Sequence, residues 1–186
     1  SDSSRPGIIF DIAGVINFDQ DGAAQGVFRD SGDGSSTDRA DENIPGIPGL
    51  GANPTDNMSA EILTFIEFPA AGYYEMIFNS DDGFLVSETH GAGDDRGTTL
   101  GVFNGGRGAA DTQFGFAVPE AGVYPIRAIW YEGGGGANLE WSSIVGSTRY
   151  LINDANGNAL KAYRTRDEST IHDVLVAGPG GGSITS

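Results

Sequence analysis

Cysteine is absent from this chain of 186 residues, and lysine occurs once, at Lys161. The first absence excludes disulfides and thiolate metal sites. It leaves secretion open, because many extracellular proteins hold together without cysteine. Basic residues are scarce altogether: Lys and Arg total 10 against 26 Asp and Glu, a formal net charge of −16. Phosphate backbones are gripped by basic side chains, so nucleic acid is not an expected partner. The same balance argues against docking on an anionic membrane. No apolar run approaches the ~20 residues of a membrane span, so membrane insertion is not expected. Signatures of catalysis are missing as well. There is no Gly-x-Ser-x-Gly, no zinc-binding spacing, and no Lys-Ser or Lys-Thr behind a glycine-rich loop. Glycoside hydrolysis needs a placed pair of carboxylates, and no acid/base pair stands out among 26 acidic residues. The expectation is that the chain is not an enzyme.

What is present points to strands and turns. Glycine occurs 30 times, phenylalanine 10 and tyrosine 6, which suits many tight connections between aromatic-bearing strands. No amphipathic helical pattern competes with them. The length fits a single domain over 1–186 with room for a real core. A strongly acidic surface is tolerable where salt or divalent cations screen it, which suits a secreted or cell-surface protein. Opening on Ser1 rather than methionine, the chain reads as a mature form or an excised piece from which any signal peptide has gone.

Along the chain, Ile8–Ile12 and Val15–Phe18 predict one interrupted strand, followed by a long Gly/Asp/Ser/Pro loop from Asp19 to Asn57. A loop of that length inside a compact domain is normally functional or mobile. Met58 to Phe68 has a composition open to a helix, but its β-branched alternation (Ile62, Thr64, Ile66) predicts a strand. Further strands are expected at Thr99–Phe103 and Gln113–Val118, around the loop Asn104–Gly108. Tyr150–Ile152 and Ala159–Tyr163 flank Asn153-Asp154-Ala155-Asn156-Gly157-Asn158 as a predicted hairpin. Ile171–Ala177 reads as a last strand. The motif Pro-x-Ala-Gly-x-Tyr occurs twice, at Pro69–Tyr74 and at Pro119–Tyr124. Each copy predicts a turn that delivers a tyrosine to the head of an apolar strand, and two such units suggest facing strands of a sandwich.

The most informative stretch runs from Tyr74 to Val86. An alternating, aromatic-rich strand meets Asp81, Asp82 and Gly83, and a second apolar run follows. Neighbouring side chains on a strand point to opposite faces, so adjacent aspartates share one site only where the pleat breaks between them. A hard cation taking about six to eight oxygen ligands would stabilise such a break. An Asp-Gly turn explains the same residues without any ligand.

Strand, Ser80-Asp81-Asp82-Gly83, strand, Pro119–Arg127 and Trp130–Trp141 follow one another in an order that resembles the protective-antigen domain family, the PA-fourteen fold of bacterial toxins, adhesins and yeast flocculin lectins. The resemblance covers roughly residues 60 to 145. It implies an all-β chain, an antiparallel β-sandwich with long Gly-rich loops and terminal extensions. The divisions would be 1–57 as N-terminal strand and loop, 58–145 as core, 146–177 as C-terminal hairpin and strand, and 178–186 as tail. In lectin members the adjacent aspartates are joined by a cis peptide and hold a calcium ion that sugar hydroxyls bind directly. Carried onto this chain, the resemblance implies Ca2+ on Asp81 and Asp82. Gly134 and Gly135 would complete the ion through carbonyls that no Cβ obstructs, with Asn138 or Glu132 adding a side-chain oxygen. The glycan-binding set would be Asp81, Asp82, Glu132 and Gly135, with Asp95 on the same rim. The implied role is a non-catalytic, calcium-dependent carbohydrate-binding adhesion module whose partners are glycans or cell-surface polysaccharide. Toxin-type members need not bind sugar, so the fold leaves function open. Glu88-Thr89-His90-Gly91 departs from the Asp-Gly hairpin of many members, and Ala92–Asp111 reads as an insertion near the site.

Several features remain. Asn17-Phe18-Asp19-Gln20-Asp21-Gly22 matches the first half of an EF-hand loop, but position twelve falls on Phe28 instead of Glu. A looser calcium loop and an ordinary turn both fit. Asp94-Asp95 reads as a second cation site or as a solvated loop countered by Arg96. Asp30, Asp33 and Asp38 show no ligand spacing. Trp130, Tyr131 and Trp141 offer stacking faces or core packing, with Trp130 and Tyr131 on opposite faces. His90 and His172 have no partner. A second reading of the whole is a self-assembling structural subunit of an extracellular filament or matrix. Its terminal strands would add to the sheet edge of another copy, and calcium would then be structural.

Overall fold

The computed structural model describes residues 10–20, 25–46, 56–89 and 94–164. These residues form ten strands and no helix: β1 (Asn17–Asp19), β2 (Met58–Phe68), β3 (Gly72–Ser80), β4 (Phe84–Glu88), β5 (Thr98–Phe103), β6 (Ala110–Val118), β7 (Gly122–Glu132), β8 (Asn138–Val145), β9 (Thr148–Leu151) and β10 (Lys161–Arg164). Two antiparallel five-stranded sheets result. The first runs β1-β8-β3-β6, with β9 following β1 along the same strand β8; the second runs β10-β2-β7-β4-β5.

Period-two alternation decides which side chains fill the space between the sheets. In β8, Leu139 and Trp141 point inward and are 1 % exposed. They meet Phe78 and Met76 of β3 and, from the facing sheet, Phe84, Val86, Ala128, Ile126 and Trp130. Phe78 and Phe84 stack across the sandwich at 4.4 Å between ring centroids. The tryptophans are core, and Tyr131, one residue on from Trp130, lies outside at 37 % exposure.

The repeated Pro-x-Ala-Gly-x-Tyr units head β3 and β7, one in each sheet. In each, the tyrosine hydroxyl donates back to the carbonyl four residues earlier: Tyr74 to Ala70 and Tyr124 to Glu120, both at 2.9 Å. Both rings then pack edge-on against Phe68, at 4.8 and 5.6 Å. The echo is a pair of matched corners closing one end of the sandwich.

Some expectations are corrected. Among residues 10–18 only Asn17 and Phe18 join a strand; the carbonyls of Ala13 and Gly14 instead accept the Asn153 side-chain amide at 3.2 and 3.1 Å. The segment 150–163 is not a hairpin. β9 belongs to the first sheet and β10 to the second, because Ile152 and Leu160 enter the core between them and buried Asp154 pairs with the distant Arg39. The predicted strand Ile171–Ala177, the tail, His90 and His172 lie outside the described residues.

The connections that pass from one sheet to the other at residues 81–83, 104–109 and 133–137 all gather at the end opposite the tyrosine corners. Residues 25–46 of the long acidic loop lie across the outer face of the first sheet. Phe18 bridges Glu42, the Ile44 amide donates to Gln20 Oε1 at 2.8 Å, and Phe28 is fully buried.

Candidate functional site

The break in the pleat falls where the sequence places it, but by another route. No cis peptide bond occurs among the described residues; Asp82 instead adopts a left-handed backbone at φ 54°, a conformation Asp tolerates better than most residues. Gly83 follows because a Cβ there would meet the Tyr131 ring at 2.3 Å. Hydrogen bonds then fix the turn on both sides. The Asp81 amide donates to the Asn138 carbonyl at 3.0 Å, and the Asp81 carbonyl accepts Trp130 Nε1 at 2.8 Å. Asp82 Oδ1 accepts the Arg107 amide at 2.8 Å, and Oδ2 accepts the Gly133 amide at 2.6 Å.

Glu132 ends β7 on the same face as Trp130, so its carboxylate enters the loop-rich end from the second sheet. Asp81, Asp82 and Glu132 are all buried, and one oxygen from each lies within 4.8 Å of the others. Among the described residues this is the one grouping of three such side chains close enough to share an ion. Burial pushes the Glu132 carboxyl up to about 7, and the Asp81 and Asp82 charges add to that, against an opposing hydrogen bond from Gly134. Glu132 Oε2 is buried with no hydrogen-bond partner. Three carboxylates in a dry corner repel one another, and a divalent cation would relieve both the repulsion and the unpaired oxygen.

The remaining predicted residues fall as follows. Gly134 and Gly135 belong to the adjoining loop but turn their amides toward carboxylates, Gly134 to Glu132 Oε1 at 2.7 Å and Gly135 to Asp56 Oδ1 at 3.3 Å. Asn138 is fully buried on the outer face of the first sheet in register with Asp19, and its Nδ2 donates to the Phe18 carbonyl. Asp95 is not brought to the cluster. It sits between β4 and β5, at the Glu88 end of β4, whereas Asp81 and Asp82 precede Phe84 at the other end. Beside it, Asp94 accepts Thr89 Oγ1 and the Arg96 amide, a loop holding itself together.

Arg107 and Asp56 are site neighbours that sequence reasoning missed. The Arg107 and Asp82 backbones exchange hydrogen bonds with each other's groups, and the guanidinium reaches Ser80 O, Ser80 Oγ and Thr112 Oγ1 at 3.2, 2.9 and 2.9 Å. It also covers the Phe103 ring at 4.0 Å, a geometry that favours Arg. The available signal was a single charged residue in an otherwise small-residue loop, Asn104-Gly105-Gly106-Arg107-Gly108.

No protein-family model and no curated protein matches this sequence. Solved structures do. The PA14 domain of the MpAFP antifreeze protein superposes with a TM-score of 0.50 at 16 % identity, over 80 % of this chain and 71 % of that one. The PA14 sugar-binding domain of an RTX adhesin gives 0.48 at 17 %, over 74 % and 72 %. The epithelial adhesin 9 A domain of Candida glabrata, in complex with Galβ1-3GlcNAc, gives 0.49 at 16 %, over 83 % and 71 %. Identity this low speaks to fold and not to ligand. The fold follows from the first of these together with two antiparallel sheets whose Asp-Asp-Gly turn stands at the loop-rich end: this chain is a PA14-like β-sandwich.

Proposed function

We propose that Asp81, Asp82 and Glu132 hold a calcium ion, and that vicinal hydroxyls of a glycan complete its coordination. The protein would then be a non-catalytic, extracellular carbohydrate-binding adhesion module. The observation that supports this best is the closeness of three buried carboxylates, one with an unpartnered oxygen. Calcium takes about six to eight oxygens, so three side chains leave positions for loop carbonyls of Gly134 and Gly135 and for a ligand. The site lies among loops, at the end of the sandwich where Tyr131 stays partly exposed. Arg107 would act as a positioning residue, holding the 104–108 loop against Asp82.

The test is a glycan array probed with chelator-stripped protein, with and without calcium, beside an Asp82→Asn variant. Binding is expected with calcium alone and is expected to vanish in the variant. Equal glycan binding by the variant and the wild type would reject this site.

A further inference from the structure

We propose a second hard-cation site, of the calcium class, on the outer face of the first sheet around Glu140, where it fastens the 25–46 loop to the sandwich. This does not rest on the glycan reading above.

The face is polar yet dry. Asn17 and Asn138 are 0 % exposed, Glu140 1 % and Asn79 4 %. Asn17 pairs with Glu140, and Glu140 with Asn79, so the three stand in one row across β1, β8 and β3; Asp19 and Asn138 form the next position on that face. Directly paired side chains on one face have Cβ atoms roughly 5 Å apart. Asp41 leans on the row from the loop, near enough for its carboxyl to feel Asn17 and Asp19.

Within this neighbourhood five buried oxygens have no hydrogen-bond partner: Asn17 Oδ1, Asp41 Oδ1, Asn79 Oδ1, Asn138 Oδ1 and Glu140 Oε2. All are acceptors. Exchanging the amide ends would not help, because each NH2 is already committed: Asn17 to Ala40 O, Asn138 to Phe18 O and Asn79 to Asp111 Oδ1. Glu140 Oε1 is committed too, accepting the Val27 and Phe28 amides at 2.7 and 2.9 Å. Nearby arginines do not fill the gap. Arg149 is paired with Asp111, and neither it nor Arg29, whose charge lies near Asp41, donates to any of the five oxygens. A proton on Glu140 would satisfy at most two of the five, Oε2 itself and the one acceptor it donates to. Buried polar groups are nearly always paired, and a cation that takes many oxygens satisfies the set. Two carboxylates with several amide oxygens match Ca2+ better than Mg2+, which keeps its own waters in a strict octahedron. The half EF-hand pattern of Asn17 and Asp19 thus lies on a strand, with Glu140 of β8 paired directly to Asn17.

The experiment uses the full chain, stripped with chelator, and calcium alone as probe. Titration calorimetry is combined with hydrogen exchange at the Val27 and Phe28 amides. In an Asp82→Asn background, which disables the loop-end site, calcium is expected to bind and to slow exchange at both amides about tenfold or more. Adding Glu140→Gln, which keeps an oxygen for those amides, abolishes binding and protection. Asn17→Asp, which adds charge without removing an oxygen, tightens binding severalfold. Absence of calcium-dependent protection in the Asp82→Asn protein overturns the proposal, as does unchanged affinity in Asn17→Asp. Failure of the loop-end site alone looks different: Glu140→Gln then binds no calcium while Asp82→Asn still does.

Discussion

Glu132 and Glu140 flank the same glycine loop and share an unusual condition. Each is 1 % exposed, each is pushed by burial from 4.5 up to about 7, and each leaves one oxygen unpartnered. Their surroundings differ. Glu132 faces two further carboxylates, Asp81 and Asp82, at an end where three loops part. Glu140 faces three amide oxygens and the single carboxylate of Asp41 beneath a covering loop that it anchors through two backbone hydrogen bonds. Crowded like charges near solvent make a site that gains by taking a cation and presenting it. Oriented dipoles under a lid make one that gains by being closed. On the two proposals above, the same residue type would serve recognition in one place and architecture in the other.

The largest effect should come from breaking the closed member of the pair. Gly26 sits at φ 80°, and a Cβ there would stand 2.0 Å from Glu140 Oε1. Gly26→Ala combines backbone strain with loss of the Glu140 hydrogen bonds, an expected cost of about 2–4 kcal/mol. Thermal melting and limited proteolysis within 25–46 would show it. Gly83→Ala makes the opposite trade. Its clash is with Tyr131, an exposed ring able to swing aside, so stability should fall less and calcium affinity more. Equal melting temperatures for the two variants would contradict this contrast.

pH sharpens the comparison. The folded-state carboxyls of Glu132 and Glu140 titrate near 7, above their unfolded value of 4.5, so the folded apo-protein holds protons that the unfolded chain has released. Stability therefore falls as pH rises from about 4.5 through 7. Saturating calcium replaces those protons and should abolish the fall or reverse its sign. Denaturant titrations at both ends of the window, with calcium and with chelator, give the four numbers needed. A flat apo profile would mean that both carboxyls are already solvated.

Arg107→Ala ranks next. It removes three side-chain hydrogen bonds and the cover over Phe103, while the backbone pairing with Asp82 can persist. About 1–2 kcal/mol of stability is expected to go, with a severalfold weaker calcium affinity measured by calorimetry. Arg107→Lys should recover little of either, since one ammonium cannot reproduce the fork.

How much of this was legible depended on distance along the chain. Alternation marked β2 and β3, and the Asp-Asp-Gly break marked the loop-end turn, because both are written in neighbouring residues. The means of the break was not legible: a positive φ at Asp82 answers the same need as a cis bond. Asp95 resembled Asp82 locally, but the length of β4 carries it to the other end of the sandwich. Asp154 read as a hairpin residue because its partner, Arg39, lies far back in the sequence. Glu140 gave no sign at all. In the pattern Asn138-Leu139-Glu140-Trp141 it looks like the solvent half of an alternating strand, and only a loop from the distant N-terminal region makes that face interior.

The paired tyrosine corners allow the finest test. Their sequence echo predicted facing strands, and the structure adds that both rings share Phe68. Tyr124→Phe deletes one hydroxyl-to-carbonyl bond and should cost about 1 kcal/mol. Tyr74→Phe should cost slightly more, because its hydroxyl also accepts the Ala70 amide at 3.3 Å. If the corners act independently the two losses add in the double variant; if they are coupled through Phe68 they do not. Strict additivity in the wild type, and no change of the interaction energy in a Phe68→Leu background, would show that the echo is two separate turns and not one shared clasp.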